Sequence, residues 1–84
     1  MNKVEIYSHP SCSYCHQAKG LLNARGIEYQ ELNVGQDRQL LAQMVERTGG
    51  RTFPQIIIKD QAIGGFDDLR RLDQKQQLST LLNH

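Results

Sequence analysis

The sequence predicts an α/β fold in which helices flank a mixed four-stranded β-sheet. Two observations indicate it: strand-like segments alternate with helical periodicity in the first half, and two strand-like segments joined by a short turn follow. Parallel strands need a crossover helix, whereas strands joined by a tight turn pair antiparallel. We therefore predict the order β-α-β-α-β-β-α, in a single domain spanning residues 1–84, because this length supports one compact core.

The first strand and helix flank the first cysteine. Residues 4–7 are β-branched and aromatic, and the breaker group Ser8-His9-Pro10-Ser11 follows them. A helix is predicted from Tyr14, with Gly26 as its C-terminal stop. The apolar residues that share one face of this helix are Ala18, Leu21 and Leu22. Cys12 is thereby expected at a helix N-terminus.

The second strand and helix have less regular patterns. Residues 27–34 carry Ile, Tyr, Leu and Val among polar residues and form the strand candidate. Asp37 is expected to cap the helix and Gly49-Gly50 to stop it. Its predicted buried stripe is Leu40, Leu41, Met44 and Val45.

The last part of the chain predicts a hairpin and a final helix. Residues 55–59 contain three consecutive isoleucines, which favours a strand covered on both faces, and Asp60 supplies the turn to residues 61–63. After Gly64-Gly65, acidic residues occupy the first turn of a helix that starts near Phe66. A thioredoxin-like sandwich is the architecture that fits this order.

Composition and charge exclude several classes of function. The formal net charge is +1, with no basic run, so we expect no nucleic-acid partner. No apolar stretch has secretory or membrane-spanning length, so we expect a cytoplasmic location and no membrane partner. Two cysteines are too few for a secreted disulfide framework, and their spacing indicates a working site.

The Cys12-Ser13-Tyr14-Cys15 segment predicts two cysteines that differ in reactivity. At a helix start, unpaired amides and the positive end of the helix favour a thiolate at the first position. Cys12 is therefore the expected nucleophile and Cys15, one turn inside, the resolving thiol. His9 could add charge support when protonated, Tyr14 could wall the site, and Ser13 is expected to support it as well.

Three other interpretations of the cysteine pair stay open. Cys12, Cys15 and His16 match the haem-attachment pattern, but no export signal accompanies it and neither methionine is marked as a ligand. A structural zinc site would need His9 as well, converging from one loop and one helical turn. An inert, buried pair fits poorly with its polar and aromatic neighbours. Redox chemistry is favoured.

Separated motifs resemble those of glutaredoxins, and the resemblance covers nearly the whole chain. They are Val4-Glu5-Ile6-Tyr7, Cys12-Ser13-Tyr14-Cys15, Thr52-Phe53-Pro54-Gln55-Ile56 and Gly64-Gly65-Phe66-Asp67-Asp68-Leu69. The sequence is most similar to short bacterial members of the dithiol class. The resemblance implies a glutathione-dependent oxidoreductase that reduces protein–glutathione mixed disulfides and protein disulfides, with glutathione as co-substrate.

The resemblance also implies a glutathione site. Thr52 and Phe53 would offer backbone groups before a cis Pro54, and Arg51 would face the glycine carboxylate. The segment from Gly65 through Phe66, Asp67 and Asp68 would hold the γ-glutamyl end, since amides at a helix start bind carboxylates and an aspartate can face an ammonium group. Tyr14 would complete the site.

Departures from the family pattern leave a second hypothesis open, which is not the one we expect by default. Ser13 stands where dithiol members commonly have proline, and His9 where lysine is common. Phe53 and Phe66 replace residues that are more often valine and cysteine. Glutaredoxins with such a serine can resemble [2Fe-2S] binders, in which Cys12 and glutathione would hold a cluster between two monomers; otherwise we expect a monomer. A glutaredoxin-like protein reduced by thioredoxin reductase is a third, disfavoured possibility.

Overall fold

The computed structural model describes residues 4–82 and arranges its strands in one four-stranded sheet. The strands are β1 (Val4–Ser8), β2 (Gln30–Asn33), β3 (Gln55–Ile58) and β4 (Gln61–Gly64). The helices are α1 (Ser13–Ala24), α2 (Arg38–Thr48), α3 (Phe66–Gln74) and α4 (Gln77–Leu82). The sheet order is β2-β1-β3-β4, with β1 parallel to β2 and the other pairs antiparallel. The predicted fold class is confirmed.

The two faces of the sheet build two cores. Ile56 and Ile58 pack with residues of α1, α3 and α4, whereas Ile57 packs with Met44 of α2 on the other face. This division follows from the two-residue period of a strand. The isoleucine run is therefore buried on both faces, as predicted, and the sheet lies between two helical layers.

Local signals begin and end α2 where the sequence predicts. Asp37 Oδ1 accepts hydrogen bonds from the amides of Gln39 and Leu40, each at 3.0 Å, and so caps α2. Gly49 then ends α2 in the left-handed region, with φ 74°. This stop directs the chain towards β3 through residues 50–54.

Three details differ from the sequence predictions. The second strand covers only Gln30–Asn33, because the chain leaving α1 first packs Ile27 and Tyr29 against the core without joining the ladder. Leu41 is 38% exposed, since it lies beside the turn at residues 35–38. The final helix is two helices, which Gln76, with φ 58°, separates so that Leu78 still reaches the core.

Candidate active site

Cys12 occupies the N-cap position of α1, with φ −103° and ψ 110°. Its Sγ accepts a hydrogen bond from the amide of Cys15 at 3.0 Å, and its own amide donates to the carbonyl of His9 at 3.2 Å. An amide that donates to sulfur stabilises negative charge there, as does the positive end of the helix. The half-buried Cys12 sulfur thus accepts an amide hydrogen bond at a helix start and can still be reached.

Cys15 has the opposite environment. It is 1% exposed, and both cysteines are free thiols. Burial, and secondarily its hydrogen bond with Cys12, raises the pKa of the Cys15 thiol to about 12. Because thiolates rather than thiols are nucleophilic, Cys15 is a poor first attacker at neutral pH. The structure therefore separates an accessible sulfur from a buried, protonated one.

A groove of about 320 Å³ runs beside the start of α1. Three segments form it: the first turn of α1, the loop before β3 and the start of α3. Its lining residues are Tyr14, Thr52, Phe53, Pro54, Gly65, Phe66, Asp67 and Asp68. The groove thus brings together eight of the nine residues that the family resemblance implies for a glutathione site.

Two aromatic rings form one wall of the groove. The rings of Tyr14 and Phe66 stack with centroids 6.2 Å apart and an interplanar angle of 29°. Tyr14 is 57% exposed, unusually open for a large apolar ring. The Phe66 ring gives Tyr14 a fixed support, so the wall has a defined position.

The loop that enters β3 forms the second side. The peptide bond between Phe53 and Pro54 is cis, as the family resemblance implied. Beneath the loop, Nε2 of the buried Gln55 donates to the carbonyl oxygen of Thr52 at 2.9 Å and to Thr52 Oγ1 at 3.2 Å. The Phe53 ring packs on the ring of His9, with centroids 5.4 Å apart. The loop is therefore held from both sides.

The start of α3 forms the third side. Asp68 Oδ2 accepts a hydrogen bond from the amide of Gly65 at 3.1 Å, which caps the helix, and Asp68 also lies 3.5 Å from Arg71. Asp67 is exposed. The two aspartates therefore differ: one carboxylate orders the helix start, and the other faces solvent at the rim of the groove.

Three predicted site residues have other positions. Arg51 is exposed and does not line the groove. His9 Nδ1 accepts a hydrogen bond from the amide of Ser11 at 3.2 Å, so its ring orders the loop before Cys12. Ser13 is the exposed first residue of α1. Their proposed roles towards Cys12 or glutathione stay predictions.

Gln55 is the residue near this site that the sequence patterns did not single out. A signal existed, because a polar side chain opens a strand that is otherwise isoleucine and buried. Buried carboxamides are retained only where they have hydrogen-bond partners. The pattern gave no indication that the partner would be Thr52.

Size alone would locate the site elsewhere. A larger hollow of about 700 Å³ lies between the chain just after α1, the end of α3 and α4, beside the ion pair of Arg25 and Asp73, and neither cysteine lines it. Across residues 4–82, every helix is too short or too polar to span a bilayer. In that same part of the chain, no three His, Cys, Asp or Glu side chains converge as a metal-binding group.

Comparison with known proteins identifies a family match and full-length relatives. The glutaredoxin family model matches residues 4–63. The chain is 45% identical over 82 residues to glutaredoxin 3 of Escherichia coli strain K12, covering 98% of this chain and 99% of that protein. It is 42% identical over 84 residues to a glutaredoxin of Neisseria meningitidis serogroup A, covering 99% of each chain.

Solved structures show the same architecture. The solution structure of a glutaredoxin from Brucella melitensis matches with a TM-score of 0.83 and 44% identity, over 98% of this chain and 89% of that one. The crystal structure of a buckwheat glutaredoxin–glutathione complex matches with a TM-score of 0.88 and 28% identity, over 98% of this chain and 77% of that one.

Proposed function

The chain belongs to the glutaredoxin family, and from this we propose that it is a glutathione-dependent thiol–disulfide oxidoreductase acting on protein–glutathione mixed disulfides and protein disulfides. The observation that carries the proposal is the position of Cys12: an amide-stabilised, reachable sulfur precedes Tyr14, which walls a groove of about 320 Å³. The same sulfur without a groove would support only general disulfide chemistry.

In the proposed first step, the Cys12 thiolate attacks the glutathione sulfur of a mixed disulfide. The bond between the two substrate sulfurs breaks, and the protein thiol leaves as a thiolate that takes a proton from solvent. A disulfide between Cys12 and glutathione results. A second glutathione thiolate then attacks the glutathione sulfur of that disulfide, which releases oxidised glutathione and restores the Cys12 thiolate.

Cys15 has a role only when the substrate is a protein disulfide. There, Cys12 forms a disulfide with the substrate protein, and Cys15 attacks Cys12 Sγ, releases the reduced protein and closes a Cys12–Cys15 disulfide. Its raised pKa, about 12, means that the thiol must lose its proton during this attack. Two glutathione molecules would then reduce the intramolecular disulfide.

The groove supports a specific placement of glutathione. The amides at the start of α3 can receive the γ-glutamyl carboxylate, and the exposed carboxylate of Asp67 can face the ammonium group. Thr52 and Phe53 would bind the backbone of the tripeptide, with Arg51 towards its glycine carboxylate. The likeness to a buckwheat glutaredoxin solved in complex with glutathione supports the presence of a glutathione site on this fold.

The test is turnover of a glutathionylated peptide, coupled to glutathione reductase, in the wild type and in Cys12→Ser and Cys15→Ser variants. We expect no activity above background in Cys12→Ser and retained activity in Cys15→Ser. With a protein disulfide as substrate, we expect both variants to lose activity. Full deglutathionylation by Cys12→Ser would overturn the proposal.

The [2Fe-2S] alternative stays a prediction. Cys12 is the sulfur that could be offered to a cluster, since Cys15 is buried and protonated, so a cluster would need glutathione and a second copy of the chain. Anaerobic reconstitution with iron, sulfide and glutathione decides it through visible absorption and dimer formation.

A single-domain organisation and a cytoplasmic location also stay predictions.

A further inference from the structure

The Gln55 carboxamide lies in a narrow slot beneath the groove. Besides its two hydrogen bonds to Thr52, it is closely approached by Gly50: a Cβ atom at position 50 would lie 2.6 Å from Gln55 Nε2 and 3.0 Å from its Cδ. Gly50 is itself fixed, because its amide donates to Thr48 Oγ1 at 3.0 Å, and that hydroxyl donates to the Met44 carbonyl at 2.7 Å. The slot is therefore tied to the end of α2.

The slot determines which way a peptide group of the loop faces. A carbonyl oxygen only accepts hydrogen bonds, so the amide nitrogen of Gln55 has to face Thr52. In a planar trans peptide, the carbonyl and the following N–H point in opposite directions. With the Thr52 carbonyl turned inward to Gln55, the N–H of Phe53 points away from the buried carboxamide, outward from the loop.

We propose that Gln55 is a positioning residue for glutathione, acting through the Thr52–Phe53 peptide group. The two hydrogen bonds from Gln55 Nε2, which we call the clamp, occupy the carbonyl and hydroxyl oxygens of Thr52. The outward Phe53 amide is then the donor that the loop offers to a bound tripeptide. This inference rests on the proposed function. Under this proposal, Gln55 lies beneath the groove and does not contact the substrate. It sets the orientation of the Phe53 amide, which does.

Two variants disturb the clamp from opposite sides. Gln55→Met keeps the length of the side chain but removes the donor. Gly50→Ala keeps Gln55 but places a methyl group where the carboxamide lies, and position 50 does not require a positive φ. The matched controls are Gln61→Met, on the exposed start of β4, and Gly20→Ala, where a Cβ in α1 meets nothing within 4 Å.

The measurement is stopped-flow release of a peptide from two mixed disulfides, one with glutathione and one with cysteamine, by the reduced protein without free glutathione. The readout is the second-order rate constant for the glutathione mixed disulfide divided by the rate constant for the cysteamine mixed disulfide. Loss of stability or of active protein lowers both constants equally and leaves this ratio unchanged. Misplacement of the Phe53 amide lowers the constant for the glutathionylated peptide alone.

We expect Gln55→Met and Gly50→Ala each to lower the ratio roughly fivefold, the effect of about one hydrogen bond, and both controls to keep the wild-type ratio. A wild-type ratio in either folded clamp variant overturns the role of Gln55. If Gln55→Met does not fold, Gly50→Ala decides. A wild type with no preference for the glutathionylated peptide would instead contradict the proposed function itself, so the two failures are distinct.

Discussion

The amide of Cys15 donates a hydrogen bond to Cys12 Sγ across 3.0 Å, so the backbone of the buried cysteine fixes the position of the half-buried cysteine's sulfur. The same helical turn buries the Cys15 side chain and keeps it protonated. One local structure thus produces the asymmetry that the proposed dithiol mechanism needs: an accessible sulfur and a buried, protonated one.

The raised pKa of Cys15 predicts a loss of stability in alkali. The folded protein keeps a proton that the unfolded chain releases, so this contribution is fully present below about pH 9 and is lost as the pH rises towards about 12. The free energy of unfolding of the reduced wild type should therefore fall more steeply above pH 9 than that of Cys15→Ser. Parallel curves would contradict the assignment.

The Tyr14 wall predicts a selective loss of affinity. Tyr14→Ala removes the ring that stacks on Phe66, so we expect the KM for a glutathionylated peptide to rise about three- to tenfold, with a smaller change in kcat. Leu41→Ala is the control, because Leu41 is also a large exposed apolar residue and lies on α2, outside the groove. Equal effects of the two substitutions would show that the wall has no specific role.

The two aspartates of α3 should separate stability from binding. Asp68→Ala removes the cap on the Gly65 amide, so we expect a loss of about 1 kcal/mol in the free energy of unfolding. Asp67→Asn removes an exposed charge from the first turn of α3, so we expect a smaller loss of stability, about 0.3 kcal/mol, and a higher KM for glutathione. Thermal unfolding and steady-state kinetics on both variants measure this, and the reverse pattern would exchange the two roles.

An ion pair remote from the cysteines should stabilise the link between α2 and the sheet. Arg47 donates to the Glu5 carboxylate at 2.8 and 3.1 Å and to the Tyr7 hydroxyl at 2.9 Å, and it lowers the pKa of Glu5. We expect Arg47→Met to lower the free energy of unfolding by about 2 kcal/mol at pH 7.

The pH dependence of that cost has a definite sign. A carboxyl group whose pKa is lower in the folded protein than in the unfolded chain stabilises the fold at pH values above its unfolded pKa. This contribution is lost as the pH falls. The difference in the free energy of unfolding between wild type and Arg47→Met should therefore shrink below about pH 4. Arg70→Met, at an exposed position on α3, is the control, and activity should be unchanged in both. A difference that is constant down to pH 2 would contradict the Glu5 contribution.

Periodicity and breakers were sufficient to predict most of the fold. The isoleucine run predicted a strand buried on both faces, and Asp37 and Gly49 marked the ends of α2, because these signals act through the local backbone. The break at Gln76 was not predicted, since it depends on where Leu78 must lie against the core, which is a tertiary requirement.

The family resemblance named the residues of the candidate site, but not the contacts that hold them in place. The cysteine pair and the two loops are short motifs, so their residues could be named from the sequence. The clamp of Gln55 on Thr52, the support of Tyr14 by Phe66 and the capping of Gly65 by Asp68 could not be derived in the same way. Such contacts depend on side-chain directions that only the folded loops define.

We predict that Cys12, and not Cys15, reacts with the glutathione sulfur. Intact-mass spectrometry after brief exposure of Cys15→Ser and Cys12→Ser to oxidised glutathione at neutral pH tests it most directly. We predict one glutathione adduct on Cys15→Ser, mapped to Cys12, and an unmodified Cys12→Ser. Rapid adduct formation at Cys15, or no adduct on either folded variant, would contradict the claim.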